Sequence, residues 1–167
     1  LGLSTAALRA RHDRLIVCAI SGYGTSGPFA ERKAYDLLVQ NEVGLVSVTG
    51  TPDMPSRVDL CVAGIAKGIN AYSGILRALI ARGSTGQGAT VEVSLFDALA
   101  EWMSAPVYYA AGSGAPPGRT GGAHATIAPY EPFVSRDGVT ICLAIQNARE
   151  WTRFCSDVLG RADLAGD

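Results

Sequence analysis

Three glycines in one predicted loop could bring backbone N–H groups close to a ligand. Gly22, Gly24 and Gly27 lie in the polar stretch 21–34. Because glycine has no Cβ, the backbone at such positions can approach an anionic group closely. Lys33, near the end of the same stretch, carries an ammonium that suits phosphate as a point-charge partner. The alternatives are an ordinary connecting loop and a solvated lysine.

A tyrosine and an aspartate follow directly. Tyr35 could face a bound ligand or pack into a core, and the sequence leaves both alternatives open. Asp36 stands where a helix N-cap is expected, because a short carboxylate can accept hydrogen bonds from the first N–H groups of a helix. We therefore expect a structural role for Asp36.

Alternating helices and strands must position these residues. The predicted helices cover 5–11, 36–45, 62–82, 95–111 and 150–159, and the predicted strands cover 15–20, 90–94, 130–134 and 139–145. Ser4 is expected to cap the first helix, and Gly83 to end the third. Ser94 with Asp97 resembles a capping box for the fourth helix. This alternation indicates an α/β protein, in which ligands bind at the carboxyl ends of the strands.

Composition and charge exclude several classes of function. The chain has 167 residues, 48% of them hydrophobic, so it can bury a core of ordinary size. Its 14 basic and 15 acidic side chains are interspersed, so we expect no nucleic-acid partner. Apolar runs are interrupted well before the roughly 20 residues that a bilayer span needs, so we expect no membrane partner.

The cysteines and histidines indicate neither a disulfide framework nor a metal site. The cysteines form no C-x-x-C motif and lie in apolar stretches, so we expect reduced, buried thiols in a cytoplasmic protein. They are Cys18, Cys61, Cys142 and Cys155. His12 and His124 have no partners at the spacing of metal ligands, so we expect no metal.

Three separated blocks of the sequence together resemble the family III CoA-transferases, also called the CaiB/BaiF family. The blocks read ISGYGTSGPFAERKAYDLL, SVTGTPD and VAGIAKGINAYSGILRALIARGSTGQGATVEVSLFDA. Several blocks in order and with natural spacing are a far stronger signal than one short motif. The resemblance implies that 1–111 is part of a Rossmann-like large domain, 112–129 a Gly/Pro-rich linker and active-site loop, and 130–167 the start of a small domain. It also implies an internal fragment of a longer protein that forms interlocked homodimers.

One position departs from the family pattern. Where the family carries a nucleophilic Asp, in a segment usually like V-A-D-I-A-A-G, this chain has Gly64. The resemblance implies that the Asp attacks acyl-CoA, forms a mixed anhydride and becomes an aspartyl-CoA thioester, since both intermediates are reactive enough to turn over. CoA or acyl-CoA is then a substrate, and no permanently bound cofactor is implied.

Gly64 leaves several interpretations open. It indicates an inactive relative, an artificial or erroneous substitution, or a replacement carboxylate, for which Asp59 is the nearest acid in the sequence. A purely structural interpretation is also available. Gly64, Gly68 and Ala71 form a stripe of small residues along a helix, which would let another element approach closely.

The resemblance also assigns binding roles. The block 31–36 matches family residues near bound CoA, so we expect Lys33 at an anionic part of CoA and Tyr35 in the thioester pocket. Gly22 and Gly24 are expected to approach the same ligand with their backbones.

The stretch RTGGAHATIAPY resembles a glycine-rich loop that covers the active site in the family, usually R-x-G-N-x-H-P-x-x-A-P-Y. Flexible glycines allow such a loop to close and exclude water. Gly121, Gly122 and His124 are the expected loop residues. The alternative for His124 is an exposed loop histidine without a role.

The function implied is transfer of CoA between small carboxylic acids, with SLFDALAEWM and AIQNAREW pointing to itaconate-type dicarboxylates. One alternative is an inactive acyl-CoA-binding relic, and another is a scaffold without affinity for CoA. A third is an α-methylacyl-CoA racemase, which uses a His/Asp pair and a Glu. Here Tyr35, Gly64 and Gln146 stand at those positions, and neither tyrosine nor glutamine is a general base near neutral pH.

Overall fold

The computed structural model describes residues 3–166 and shows a mixed α/β chain, as the sequence predicts. The elements, in order, are α1 (Thr5–Arg11), β1 (Val17–Ser21), α2 (Asp36–Glu42), α3 (Leu45–Val48), α4 (Val62–Thr85), β2 (Thr90–Ser94), α5 (Leu95–Ala100), α6 (Ser104–Ser113), β3 (Tyr130–Val134), β4 (Thr140–Ala144) and α7 (Ala148–Arg153). Shorter 3-10 or π turns cover Glu101–Met103, Phe154–Val158 and Ala162–Gly166. Among residues 3–166, none of the helices combines the length and the hydropathy that a membrane span requires.

The chain divides into two compact units. The first contains residues up to 47 together with 57–116, and the second contains 48–56 together with the residues from 117 onward. The short segment 48–56, which the sequence analysis did not separate from its surroundings, thus packs with the later part of the chain.

The first unit contains a parallel strand pair. β1 and β2 pair in register from Val17 with Thr90 to Ser21 with Ser94, so the carboxyl ends of both strands meet at one edge. Between them in sequence lie α2, α3 and α4, because parallel neighbours need a long crossover connection.

The hydrophobic core of the first unit joins α2, α4 and α5. Its fully or nearly fully buried members are Val39, Val62, Ala63 and Leu99. Tyr23, Ala34 and Val58 are among the half-buried residues that pack against them. The first turn of α4, which carries position 64, is therefore anchored in the core.

Long helix α4 buries its small residues and exposes its large ones. Its buried side chains are Val62, Ala63, Ala66, Ala71 and Ala78. An outer stripe at spacings of three and four residues stays largely exposed and consists of Ile65, Ile69, Tyr72, Leu76, Leu79 and Ile80. Exposed apolar side chains that follow one another along a helix in this way often mark a contact with another polypeptide segment.

Helix ends follow local capping rules with one correction. The Oγ atoms of Ser4 and Ser94 accept hydrogen bonds from Ala7 N and Asp97 N, as predicted. The prediction that α4 ends at Gly83 was wrong, because the helix continues to Thr85. Gly86, with φ of 74°, is the left-handed residue that ends it.

A hairpin and a short helix form the second unit. β3 and β4 pair antiparallel, and Gly138 in their turn has a positive φ of 84°. The predicted helix over 150–159 begins two residues earlier, because Asn147 Oδ1 accepts a hydrogen bond from Glu150 N and caps α7. Its continuation over Phe154–Val158 is a π turn rather than an α-helix.

The cysteines are free, as expected, but their burial differs from the prediction. Cys155 is buried and Cys18 half-buried, whereas Cys61 and Cys142 are exposed. Cys61 immediately precedes α4, and Cys142 lies in β4, most of whose residues are exposed. Apolar neighbours in the sequence were therefore not enough to predict burial of these two thiols.

Candidate functional site

Position 64 lies in the first turn of α4, as the third residue of the helix. A Cβ added to Gly64 would find only the Cβ of Cys61 within 4 Å, at an ordinary contact distance of 3.7 Å. The backbone there is helical, so no left-handed conformation requires glycine. A side chain can therefore begin at position 64 without backbone strain or overlap at its Cβ.

The carboxylate of Asp36 contacts this same turn. Asp36 Oδ1 accepts hydrogen bonds from Ala63 N at 2.8 Å and from Gly64 N at 3.4 Å. The prediction that Asp36 caps its own helix was wrong, because Tyr35 is the N-cap of α2 and Asp36 is its first residue. Instead, Asp36 satisfies free N–H groups at the positive end of α4.

A buried glutamine holds the other oxygen of Asp36. Gln40 is fully buried, and its Nε2 donates to Asp36 Oδ2 at 2.6 Å. The same amide pairs with the backbone of Val58, which precedes α4. Gln40 was not among the predicted site residues, although its spacing of four from Asp36 places both side chains on one face of α2.

Asp59, the replacement carboxylate considered from the sequence, has a different environment. Its side chain is 93% exposed, and its Oδ1 lies 2.8 Å from Arg57 NH2. Asp36, which is remote in the sequence, is the carboxylate that contacts the backbone of Gly64.

Lys33 and Tyr35 both point toward solvent. Lys33 is exposed, and within residues 3–166 its ammonium has no hydrogen bond or ion pair. Tyr35 is 65% exposed, so the alternative that it packs into the core does not hold. Both side chains are free to contact a ligand.

Gly22 and Gly24 are glycines for different structural reasons. A Cβ on Gly22 would overlap the Cβ of Ala34, so the loop can close on itself only with glycine there. Gly24 has a positive φ of 95°, and its N–H donates to Ser21 Oγ at 3.0 Å. Gly24 also lines a shallow cleft of about 430 Å³ at the carboxyl ends of β1 and β2, to which Ser94 and Asp97 contribute. Ligands bind at this edge in open α/β sheets.

In the second unit, the glycine-rich stretch packs on the segment 48–56. Gly121, with φ of 65°, donates its N–H to Gly50 O at 2.8 Å. Gly121 and Gly122 line a cavity of about 490 Å³ together with Thr49, Gly50, Thr51, Met54 and Ser56. A Cβ on Gly122 would lie 2.8 Å from Pro132 Cγ, which is tighter than real contacts. The asparagine that the family resemblance implies at this position would therefore require Pro132 to move.

His124 organises its own loop. Its Nδ1 accepts hydrogen bonds from Thr126 N and Ile127 N, each at 3.2 Å. Its ring meets that of Tyr130 edge to face, with 5.1 Å between the centroids. These contacts give His124 a structural part in the loop, in addition to any role toward a ligand.

Comparison with known proteins agrees with this architecture. Succinate--glutarate CoA-transferase of Agrobacterium fabrum is 37% identical over 167 residues, which cover 99% of this chain and 41% of that protein. Acetyl-CoA:oxalate CoA-transferase of Acetobacter aceti is 35% identical over 170 residues, which cover 100% of this chain and 43% of that protein. This chain thus spans less than half the length of these relatives.

A solved structure supports the same relationship. A CAIB/BAIF family protein from Brucella suis matches with a TM-score of 0.82 and 35% identity, covering 99% of this chain and 44% of that one. The sequence profile of CoA-transferase family III matches residues 1–167. From this match over its whole length, we conclude that the chain belongs to CoA-transferase family III.

Proposed function

We propose that the full-length protein transfers CoA between small carboxylic acids. The observation that carries this proposal is the position of residue 64, in the first turn of a core-anchored helix with room for a Cβ. This geometry supports our proposal that position 64 corresponds to the family's nucleophile position, whatever residue performs the attack.

Dicarboxylates are the substrate class that we favour. Relatives named for succinate and glutarate, and for succinyl-CoA and mesaconate, match this chain over nearly its whole length. An itaconate-type acid is our more specific proposal, based on the segments around α5 and α7. CoA enters as a substrate, and we propose no permanently bound cofactor.

Lys33 and Tyr35 are the residues that we propose for binding CoA. Both are exposed, and Lys33 has no partner within residues 3–166 that would compete with a phosphate. The cleft beside Gly24 offers a place for the ligand at the carboxyl ends of the strands. That the loop containing Gly121, Gly122 and His124 covers the reaction stays a prediction.

The outer stripe of α4 supports a proposed assembly. Large apolar side chains such as Ile69 and Ile80, which are 56% and 77% exposed, are costly to leave in water. We propose that they are covered in a cytoplasmic homodimer of the full-length protein. Light scattering of that protein would return the mass of a monomer if the proposal is wrong.

A second candidate function is an acyl-CoA-binding protein without catalysis. Gly64 favours it, because a glycine has no side chain to form an anhydride. A racemase is not favoured, because Tyr35 and Gln146 stand where that reaction needs a base. Gln146 is exposed, and its backbone N–H donates a hydrogen bond to Glu150 Oε2.

CoA exchange between a labelled acid and an acyl-CoA tests these alternatives in the full-length protein. We expect exchange by the unmodified protein and faster exchange by Gly64→Asp. The matched control is Gly68→Asp, which places the same carboxylate one turn later on α4, where a Cβ meets nothing within 4 Å. Exchange by Gly64→Asp alone would favour the binding protein, and absence of exchange in every variant would reject the transferase.

A further inference from the structure

We propose that Asp36 is the nucleophilic carboxylate in this protein, in place of the aspartate that the family carries at position 64. The proposal rests on the transferase function proposed above. Within residues 3–166, Asp36 is the acidic side chain that hydrogen-bonds the backbone of Gly64, at 3.4 Å from its nitrogen. Its carboxylate therefore lies within a few ångströms of where the family's side chain begins.

Absence of a side chain at position 64 is part of the geometry. The Asp36 carboxylate accepts a hydrogen bond from the N–H of residue 64. The side chain of a family aspartate would be attached to this same residue. Apart from the neighbouring helix backbone, a Cβ at this position would meet only the Cβ of Cys61, at 3.7 Å, and with Gly64 no side chain at position 64 covers the Asp36 carboxylate. Asp59 is a poorer candidate, because it is paired with Arg57 and 93% exposed to water.

Hydrogen bonds to Asp36 suit the covalent steps. The N–H groups of Ala63 and Gly64 both point at Oδ1 from the N-terminus of a helix of 24 residues. When a thiolate attacks Cγ of Asp36, negative charge develops on this oxygen, and two preorganised backbone donors stabilise it. Gln40, fully buried, holds Oδ2 and fixes the orientation of the carboxylate.

The steps balance without an oxidant or a reductant. A carboxylate oxygen of Asp36 attacks the carbonyl carbon of the donor acyl-CoA. The C–S bond breaks, CoA departs as its thiolate, and Asp36 and the acyl group form a mixed anhydride. The thiolate attacks Cγ of Asp36, the C–O bond breaks, and the donor acid leaves as its carboxylate. The acceptor carboxylate then attacks Cγ and displaces the thiolate. The thiolate attacks the acceptor carbonyl, which releases acceptor-CoA and restores Asp36.

Trapping the covalent intermediate locates the nucleophile. The full-length protein is incubated with succinyl-CoA without an acceptor, treated with borohydride, which reduces an aspartyl thioester, and digested with trypsin. Cleavage after Lys33, Arg57 and Lys67 separates 34–57, which contains Asp36, from 58–67, which contains Asp59 and Gly64. We expect the reduced residue in 34–57, at Asp36. A reduced residue in 58–67 or elsewhere overturns the proposal while leaving the transferase function intact.

Asp36→Asn separates chemistry from structure. Asparagine retains a carbonyl oxygen that can accept from the first turn of α4, but it cannot form the anhydride. We expect exchange to fall on the order of 10³-fold or more, as for the loss of a nucleophile. Asp53→Asn, an exposed residue of the same tryptic peptide, is the matched control and should leave exchange unchanged.

A double variant excludes the trivial explanation that Asp36→Asn unfolds the protein. Gly64→Asp is added to Asp36→Asn, and we expect exchange to return, because a carboxylate then stands at the family position. Exchange by Asp36→Asn within a few-fold of the unmodified protein overturns the proposal. Absence of exchange in the unmodified protein also overturns it, and exchange by Gly64→Asp alone then favours the acyl-CoA-binding protein without catalysis.

Discussion

The side-chain amide of Gln40 pairs with both backbone groups of Val58. Oε1 accepts from Val58 N at 2.9 Å, and Nε2 donates to Val58 O at 3.0 Å. A buried glutamine thus acts as a strand partner for one residue of an irregular segment. Since this segment leads directly into α4, the pairing fixes where position 64 lies relative to α2.

Replacement of Gln40 should destabilise the protein. Gln40→Ala leaves the N–H and the C=O of Val58 without their partner, and each buried unsatisfied group costs about 1–3 kcal/mol. We expect the free energy of unfolding of the full-length protein to fall by about 2–4 kcal/mol in urea. The exposed Gln87 provides the control, since Gln87→Ala should change it by about 0.5 kcal/mol or less. Equal effects of the two variants would contradict the structural role of Gln40.

Two glycines near the end of α4 should respond oppositely to alanine. Gly83 is inside the helix with open space around its missing Cβ, so Gly83→Ala should stabilise the protein by about 0.5–1 kcal/mol. Gly86 has a φ of 74°, so Gly86→Ala should destabilise it by about 1 kcal/mol. Thermal unfolding of both variants measures this contrast. A destabilising Gly83→Ala would instead place the helix end at Gly83.

Gly22 and Ala34 should show strong coupling. Gly22→Ala puts a methyl group onto the Cβ of Ala34, and overpacking of this kind costs about 1–3 kcal/mol. Ala34→Gly removes the clash, so the double variant should recover most of that loss. A double-mutant cycle of unfolding free energies gives the interaction directly. Additive effects would mean that the two positions are not in contact.

Stability should respond to acid through Glu150. The hydrogen bond from the backbone N–H of Gln146, and then the contact with Asn147, hold the pKa of Glu150 below its ordinary value. A carboxylate with a lowered folded-state pKa contributes stability above the pKa of the unfolded state, about 4.3, and loses it as pH falls through the lower folded value. Glu150→Gln should therefore lower the melting temperature at neutral pH and make less difference below pH about 4. A difference that grows in acid would reverse this assignment.

Local patterns predicted most of the elements. Ser4 and Ser94 cap helices as their sequences indicate, because a cap needs only residues within one turn. The family resemblance likewise predicted the α/β class. Gly83 was misassigned because its neighbours Ser84 and Thr85 also suit a turn, whereas the left-handed residue proved to be Gly86.

Contacts between distant residues could not be predicted in the same way. Asp36 looks like a local cap, and only the packing of α2 against α4 shows that it caps the later helix. The exposure of Cys61 also depends on how α4 packs, which the apolar residues around it do not reveal. The expected roles of Lys33, Tyr35 and the glycine-rich loop toward CoA stay predictions.

The parallel pairing of β1 with β2 has a consequence for the order of folding. Val17 pairs with Thr90, and all of α2, α3 and α4 lies between them in the chain. Closing so long a loop lowers the chain entropy before any strand contact can offset that loss, so the pairing should form late. Helix α4 makes local hydrogen bonds and can form first. During synthesis, the first turn of α4 would then meet Asp36 before the sheet exists, so the candidate active site is assembled ahead of the scaffold that later holds it.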